Sequence, residues 1–373
     1  MRIPGLLSTG IAVAVAISVP GTAAASPFEI SASVEQSKVR PRLVAQGPEG
    51  IRRPDGSAVT PGDLTLPPGF APGVGDLILF NTDDSGGVTS AARCTGSRIG
   101  AQKVLTAAHC LETELDGDPD FENALVDFPV GVNQDGEAVF ERHFVSLIRE
   151  GAQHPGFNGN LLEGNDVAVL DLATTPSETV TTHDIFRAGT ARGSEFDIVG
   201  FGQSGTGDSG ATPPSGAQRF GTNRFSQFFF NFGGDPNSVL WFDFDNGNPA
   251  NDAFGRLGDL LGIPGLDGLG TGPLEVNSGP GDSGGPSFVD GKIAAVTSFG
   301  LTSNAITVGG ESVGADVDNS TNSSFGEFSG NARIATAQEF IDRRVVPAPA
   351  TGLIFGLGLA GLIGLRLRRR EAA

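Results

Sequence analysis

Three short stretches carry residue types suited to acyl transfer: "LTAAHC" with His109, "NDVAVLDL" with Asp166, and "SGPGDSGGPSF" with Ser283. A serine nucleophile needs a base to take its proton and a buried acid to hold that base in one tautomer. It also needs two N–H groups aimed at the oxyanion. His109 is one of four histidines; it follows small alanines and precedes Cys110, which pins the turn if it is bridged. His143 and His183 lack such a context, and His154 precedes a proline in a loop. Asp166 opens an apolar strand, where a carboxylate needs a partner to offset desolvation. A histidine N–H is one such partner, and a strand cap is the other reading. Asp171 lies past the apolar run and reads as a boundary residue. The glycines around Ser283 permit backbone angles that would aim the Gly281 and Ser283 N–H groups at one point. Asp282 points away and requires a buried partner of its own.

These stretches need a scaffold, and the composition indicates which kind. The chain has 373 residues, 56 of them glycine, with no tyrosine and 26 phenylalanines. Short apolar runs separated by Gly/Pro/Asn/Asp turns predict strands, not long helices. "CTGSRIGAQKVLTAAHC" reads as strand, turn, strand and tight turn; "AVFERHFVSLIRE", "DVAVLDL", "EFDIVGFG" and "SVLWFDF" read as strands. "PSFVDGKIAAVTSFG" reads as a hairpin around Asp290-Gly291. "ARIATAQEFIDRR" has helical spacing, with Ile334, Ala337 and Ile341 on one side. The expected fold is all-β, a barrel protein closed by one helix. Residues 204–275 stand apart, with a Gly/Ser/Pro loop, phenylalanines that read as core or a packed insertion, and a glycine-rich run from 255 to 272.

The net charge of −19 excludes a basic nucleic-acid footprint. The acidic stretches "LDGDPDFEN" and "FDFDNGNPAND" lack the glycine and glutamate placement of an EF-hand and read as solvated loops. No metal and no cofactor are expected. Cys94 and Cys110 are the only cysteines, too few for a disulfide-framework miniprotein or a four-cysteine zinc site. In an exported protein they would form one bridge.

Both ends read as addresses. Residues 1–25 have one arginine, an apolar stretch from Leu6 to Val19 and a small-residue end, the pattern of a secretory signal peptide. Residues 26–68 read as a leader or propeptide. Residues 346–373 hold an apolar run from Ala350 to Leu365 and then Arg366, Arg368, Arg369 and Arg370. The run is marginal for a membrane span, and the arginines would stop translocation. "VPAPATGLIFGLGLAGLIGLRLRRR" resembles the PEP-CTERM sorting signal of Gram-negative bacteria, with Ala348 where glutamate is usual. That resemblance implies export, processing by an exosortase-type enzyme, and membrane contact through the C-terminal helix, at least transiently. The product would be surface-sorted, secreted, or membrane-anchored until the tail is processed.

Over residues 75–344, the order of "LTAAHC", "HPGFN", "NDVAVLDL", "VGFG", "GDSGGP" and "TSFG" resembles the chymotrypsin-like (trypsin-family) serine proteases. The resemblance implies two six-stranded antiparallel β-barrels with a C-terminal helix, over a domain at 69–345. It implies a Cys94–Cys110 bridge and a triad of His109 as base, Asp166 as orienting acid and Ser283 as nucleophile. Gly281 and Ser283 would supply the oxyanion N–H groups. Asn277 would lie at the base of the substrate pocket, with Ser298, Phe299 and Gly300 lining the cleft. Asn277 is neutral where trypsin-like members carry aspartate, and Gly279 and Pro280 replace a cysteine and its neighbour, so cleavage after basic residues is not implied. The region 204–275 is longer than usual in that family. Ile51 is a candidate activation terminus whose amine would pair with Asp282. The implied activity is peptide hydrolysis on protein or peptide substrates; a non-catalytic surface or matrix protein that kept the fold is the alternative, and an esterase is a third reading.

Overall fold

The apolar runs form two six-stranded antiparallel sheets. The computed structural model describes residues 71–345, apart from 113, 118, 135–137, 147–150, 188, 231–234, 264–265, 267–269 and 273–274. It also describes the backbone of three short strands, Ala12–Val15, Phe28–Ser31 and Leu43–Ala45. The side chains of the expected signal peptide and leader, the Ile51 terminus and the tail from 346 onward lie outside the described residues. Among the described residues no helix is long and apolar enough to cross a membrane.

The first sheet is built from β1 (Val74–Thr82), β2 (Val88–Gly100), β3 (Lys103–Thr106), β4 (Asn123–Val132), β5 (Ala138–Phe144) and β6 (Ala168–Asp171). Its spatial order is β5-β4-β1-β2-β3-β6. A bridge between Val145 and Leu172, just past β5 and β6, joins the two edges and closes a barrel. Closure removes the unpaired edges that a flat sheet would expose. The inward residues Leu77, Leu79, Val104, Val126 and Phe128 are fully buried.

The second sheet contains β7 (Glu195–Gly200), β8 (Arg219–Arg224), β9 (Val239–Asp243), β10 (Pro286–Val289), β11 (Lys292–Thr302) and β12 (Glu327–Arg333). Their order is β8-β7-β10-β11-β12-β9. The Ser226 N–H donates to the Trp241 carbonyl at 2.7 Å and links the β8 and β9 edges. The β10–β11 turn holds Asp290 at φ 51° and Gly291 at φ 71°, the double left-handed geometry that an Asp-Gly pair accommodates. Together the barrels have the chymotrypsin-like architecture that the motif order implies. A closing helix, α2 (Ile334–Val345), packs Ile334, Ala337, Phe340 and Ile341 inward; α1 denotes the helix that precedes it in the chain.

Two expectations in the insertion are corrected. α1 (Ala253–Leu261) overlaps the start of the glycine-rich run, so among the described residues the domain has a second helix of eight residues or more besides the expected closing one. Asp252 caps its start by accepting the Gly255 N–H at 2.5 Å, and Gly262 ends it at φ 69°. Ala253, Phe254 and Leu257 are buried, so packing outweighs the low helix propensity of Gly255 and Gly258. The second correction concerns "FDFDNGNPAND". Asp245 and Asp252 are buried, not solvated: Asp245 lies just past the end of β9 and Asp252 caps α1. The other acidic stretch is exposed at Leu115, Asp116, Asp120 and Glu122, as expected. The phenylalanines do form core: Phe196 stacks on Phe225 at 3.9 Å, and Phe230 meets Trp241 edge-on at 4.7 Å.

Candidate functional site

His109 sits in a single 3-10 turn, Ala108–Leu111, directly after β3. Ala107 and Ala108 are fully buried. Cys110 is bonded to Cys94 of β2 with a Cα–Cα distance of 6.3 Å, tying the turn to the barrel wall. Asp166 follows Asn165, whose φ of 61° is a left-handed conformation that asparagine tolerates. That turn sends a fully buried carboxylate toward His109. Asp166 Oδ2 receives His109 Nδ1 at 2.7 Å, and Oδ1 accepts the His109 backbone N–H at 2.8 Å. Ser298 Oγ donates to the same Oδ2 at 2.5 Å. The register of β11 against β12 shifts between Thr297 and Phe299, and this irregularity turns Ser298 to that carboxylate.

The electrostatics follow from this geometry. Burial alone would disfavour the Asp166 anion, but the His109 charge and the three donors hold its carboxyl below the usual range. Burial likewise opposes the His109 cation, but the Asp166 charge and hydrogen bond outweigh it and raise the imidazole above 6.5. His109 Nε2 is buried and makes no hydrogen bond among the described residues.

Ser283 lies on the loop between the strand Val276–Ser278 and β10. Its carbonyl accepts the Thr95 N–H at 2.7 Å, which docks the loop on the first barrel. Gly281 has φ 100° and Gly284 φ 76°, so both require glycine's freedom. A Cβ on Gly284 would lie 2.7 Å from the Ala107 nitrogen, so the loop runs directly against the chain two residues before His109. Asp282 is fully buried, as its position demanded: Oδ1 accepts Gly202 N–H and Oδ2 accepts Gly279 N–H, both at 2.8 Å. Burial pushes this carboxyl well above its ordinary value.

Asn277 is also buried. Its Oδ1 accepts Ser329 Oγ at 2.5 Å and the Ser278 N–H at 2.9 Å. Its amide nitrogen makes no hydrogen bond among the described residues. Gly300 pairs with Ser329 across β11 and β12, so Asn277 and Gly300 meet at Ser329. Sequence reasoning missed Ser329, which lies in the stretch "GEFSGNAR" without a motif. The Phe299 ring is directed into the core, 5.2 Å from Trp241.

The other histidines have structural surroundings. His143 bonds Thr174 and Glu141, His154 accepts the Gly156 N–H, and His183 packs 5.0 Å from Phe288. Asp171 takes ion pairs from Lys103 and Arg344. Among the described residues, the close cluster of metal-ligand types is Cys94, His109 and Cys110, whose sulfurs are already joined to each other. The loop from Asp316 to Glu327 has oxygen ligand types at the alternating spacing of calcium loops, with Thr321 in place of glycine. Its groups bond one another: Glu327 Oε1 accepts the N–H groups of Asn322 and Ser323, and Asp316 Oδ1 accepts that of Asp318.

A separate acidic group lies behind β9. Burial, reinforced by the charge of Asp245, pushes Glu275 from 4.5 to about 8, and burial with neighbouring carboxylates holds Asp243 well above its ordinary value. Such acids keep their protons in the fold and lose them in the unfolded chain. Their contribution to stability is therefore largest below pH 4.5 and declines as pH rises toward 8, with a slope of about 1.4 kcal/mol per pH unit for one group. Urea midpoints between pH 5 and pH 8 should fall accordingly. In Glu275→Gln the slope should flatten, although the absolute midpoint drops because two backbone donors then face an amide.

Comparison with known proteins finds two family matches, a relative and a solved structure. Residues 82–218 match the Trypsin family, and residues 345–370 match the PEP-CTERM protein-sorting motif. The first match contains His109 and Asp166 and stops inside the stretch 204–275 that the sequence marks as an insertion. Trypsin from Sus scrofa is 31% identical over 156 residues, which cover 36% of this chain and 61% of that trypsin. The chain thus spans about three fifths of that relative's length. Neuropsin, a serine protease expressed in the limbic system of mouse brain, aligns with a TM-score of 0.44 and 15% identity, over 76% of this chain and 98% of neuropsin.

Proposed function

We propose that this chain, which carries a trypsin-family domain and a PEP-CTERM sorting motif, is an exported serine endopeptidase. The observation that supports this most is the Ser298–Asp166–His109 hydrogen-bonded chain beside a glycine loop bearing Ser283. In this reading Ser283 Oγ attacks the peptide carbonyl and passes its proton to His109 Nε2. Asp166 keeps the imidazole with its Nδ1 proton inward and stabilises the cation that forms. The Gly281 and Ser283 N–H groups meet the oxyanion. Collapse of the tetrahedral adduct breaks the C–N bond, His109 returns the proton to the leaving amine, and an acyl-enzyme remains. Water, activated by the same base, then releases the acid.

The PEP-CTERM motif and the signal-peptide pattern support a protein exported from a Gram-negative cell and sorted to its surface, with the tail as substrate for an exosortase-type enzyme. The neutral Asn277 supports cleavage after uncharged residues. The domain limits at 69–345, with 346–373 as the sorting segment, belong to the same reading.

Digestion of a peptide library by the processed protein tests the activity. Cleavage that disappears in Ser283→Ala supports the endopeptidase. Cleavage of esters but not peptides would leave an esterase, and no turnover of either would leave a surface protein that kept the fold.

The acid limb of the pH profile supplies a second check. His109 must be neutral to act as base, and its pKa is raised by Asp166. kcat/KM should therefore rise with pH through an apparent pKa above the ordinary imidazole value. A limb below the ordinary imidazole value would mean that His109 is not held by the Asp166 charge in solution.

A further inference from the structure

The loop carrying Ser283 is held by its carbonyl oxygens. The Pro280 carbonyl accepts the Gln203 N–H at 2.8 Å, and the Asp282 carbonyl accepts the Gly285 N–H at 2.7 Å. A trans peptide places its C=O and N–H on opposite sides. These two bonds therefore fix the peptides whose N–H groups belong to Gly281 and Ser283. Between them lies the Gly281–Asp282 peptide, which follows a residue at φ 100° with little steric preference of its own. Its carbonyl accepts Thr95 Oγ1 at 2.9 Å. The next carbonyl, of Ser283, accepts the Thr95 N–H. Of the donors to these four successive carbonyls, three are backbone amides and one is a side chain.

We propose that the Thr95 hydroxyl is a positioning group that sets the oxyanion site, acting through the Gly281 carbonyl. Thr95 is fully buried on β2, next to Cys94. Its hydroxyl donates to Gly281 and accepts the Phe201 N–H at 3.1 Å. It thereby joins the nucleophile loop to the 200–203 segment, whose next two amides bond Asp282 Oδ1 and the Pro280 carbonyl. Loss of the hydroxyl would leave a buried carbonyl and a buried N–H without their partner, and the peptide between the two oxyanion donors held only through its N–H, which donates from Asp282 to the Gly279 carbonyl at 2.9 Å. Nothing in the sequence around Thr95 signals this, because its side-chain partner is 186 residues away.

The inference rests on the reading of Ser283 as nucleophile, and its test separates the two. Wild type, Thr95→Val, Thr95→Ser and Ser283→Ala are compared on a peptide substrate, with the melting temperature of each recorded. Thr95→Val should lower kcat by about 10–100-fold, a fraction of what deleting an oxyanion donor costs, with KM changed less than about twofold. Affinity for a peptide boronate, which forms a tetrahedral adduct, should fall in step with kcat, while affinity for the cleaved peptide product stays level. Thr95→Ser should restore both. Should Thr95→Val fail to fold, Thr95→Ser against Thr95→Ala gives the same comparison. Equal kcat with and without the hydroxyl overturns the inference alone. Failure of Thr95→Ser to recover kcat overturns it as well. A wild type whose turnover does not depend on Ser283 overturns the nucleophile reading and the inference together.

Discussion

Replacing Asp166 with asparagine is expected to lower kcat by about 10⁴-fold, the loss a Ser-His-Asp hydrolase suffers when its imidazole is held in the wrong tautomer. The reason lies in the donors around this carboxylate. Asp166 accepts the His109 backbone N–H, His109 Nδ1 and Ser298 Oγ. An amide placed there must present an NH₂ to one of these donors or to the ring, which turns the Nδ1 proton outward. The substitution also removes the charge that raises His109, leaving burial to lower it. The acid limb of the residual activity should therefore move to lower pH. A pH profile of kcat/KM for the variant reads both effects. A variant with near wild-type kcat would show that Asp166 is a structural strand residue.

Removal of the Cys94–Cys110 bridge has the second largest expected effect. The bridge closes a loop of 16 residues, which in the chain-entropy picture restrains the unfolded state by about 3 kcal/mol. For a domain of this size that corresponds to roughly 5–10 °C in melting temperature. The Cys94→Ala/Cys110→Ala double variant, or the reduced wild type, should unfold at correspondingly lower temperature or denaturant. Activity should fall further than stability, because the bridge ends at the residue after His109 and at the residue before Thr95. Both sulfurs are buried, so reduction should require partial opening. An unchanged melting temperature after verified reduction would contradict the stabilising role.

The parts of the fold and site that could be read from the sequence are those written in contiguous residues. "LTAAHC" carries both the base candidate and the cysteine that pins it. "NDVAVLDL" places an acid where desolvation forces it to find a partner, and the structure supplies His109. Asp290-Gly291 encodes a turn through backbone angles alone. The illegible parts depend on distant contacts. Helix α1 is masked by Gly255, Gly258 and Gly262, and forms because Phe254 and Leu257 find a core. The burial of Asp245 follows from where β9 ends, which its flanking asparagines and glycines do not signal. Ser329 reaches Asn277 from 52 residues away, and Thr95 reaches Gly281 from still farther. Both are small hydroxyl residues whose local sequence fits an ordinary strand.

The neutral Asn277 and the His109–Asp166 hydrogen bond pull the functional reading in different directions, and direct chemistry on Ser283 decides between them. A fluorophosphonate should bond covalently to Ser283 Oγ, expelling fluoride as His109 takes the proton. Treatment of the processed protein, followed by peptide mass mapping, should place one adduct on Ser283, and Ser283→Ala and His109→Ala should not react. Absence of an adduct on the folded wild type, or an adduct on another residue that persists in Ser283→Ala, would contradict a serine-nucleophile enzyme.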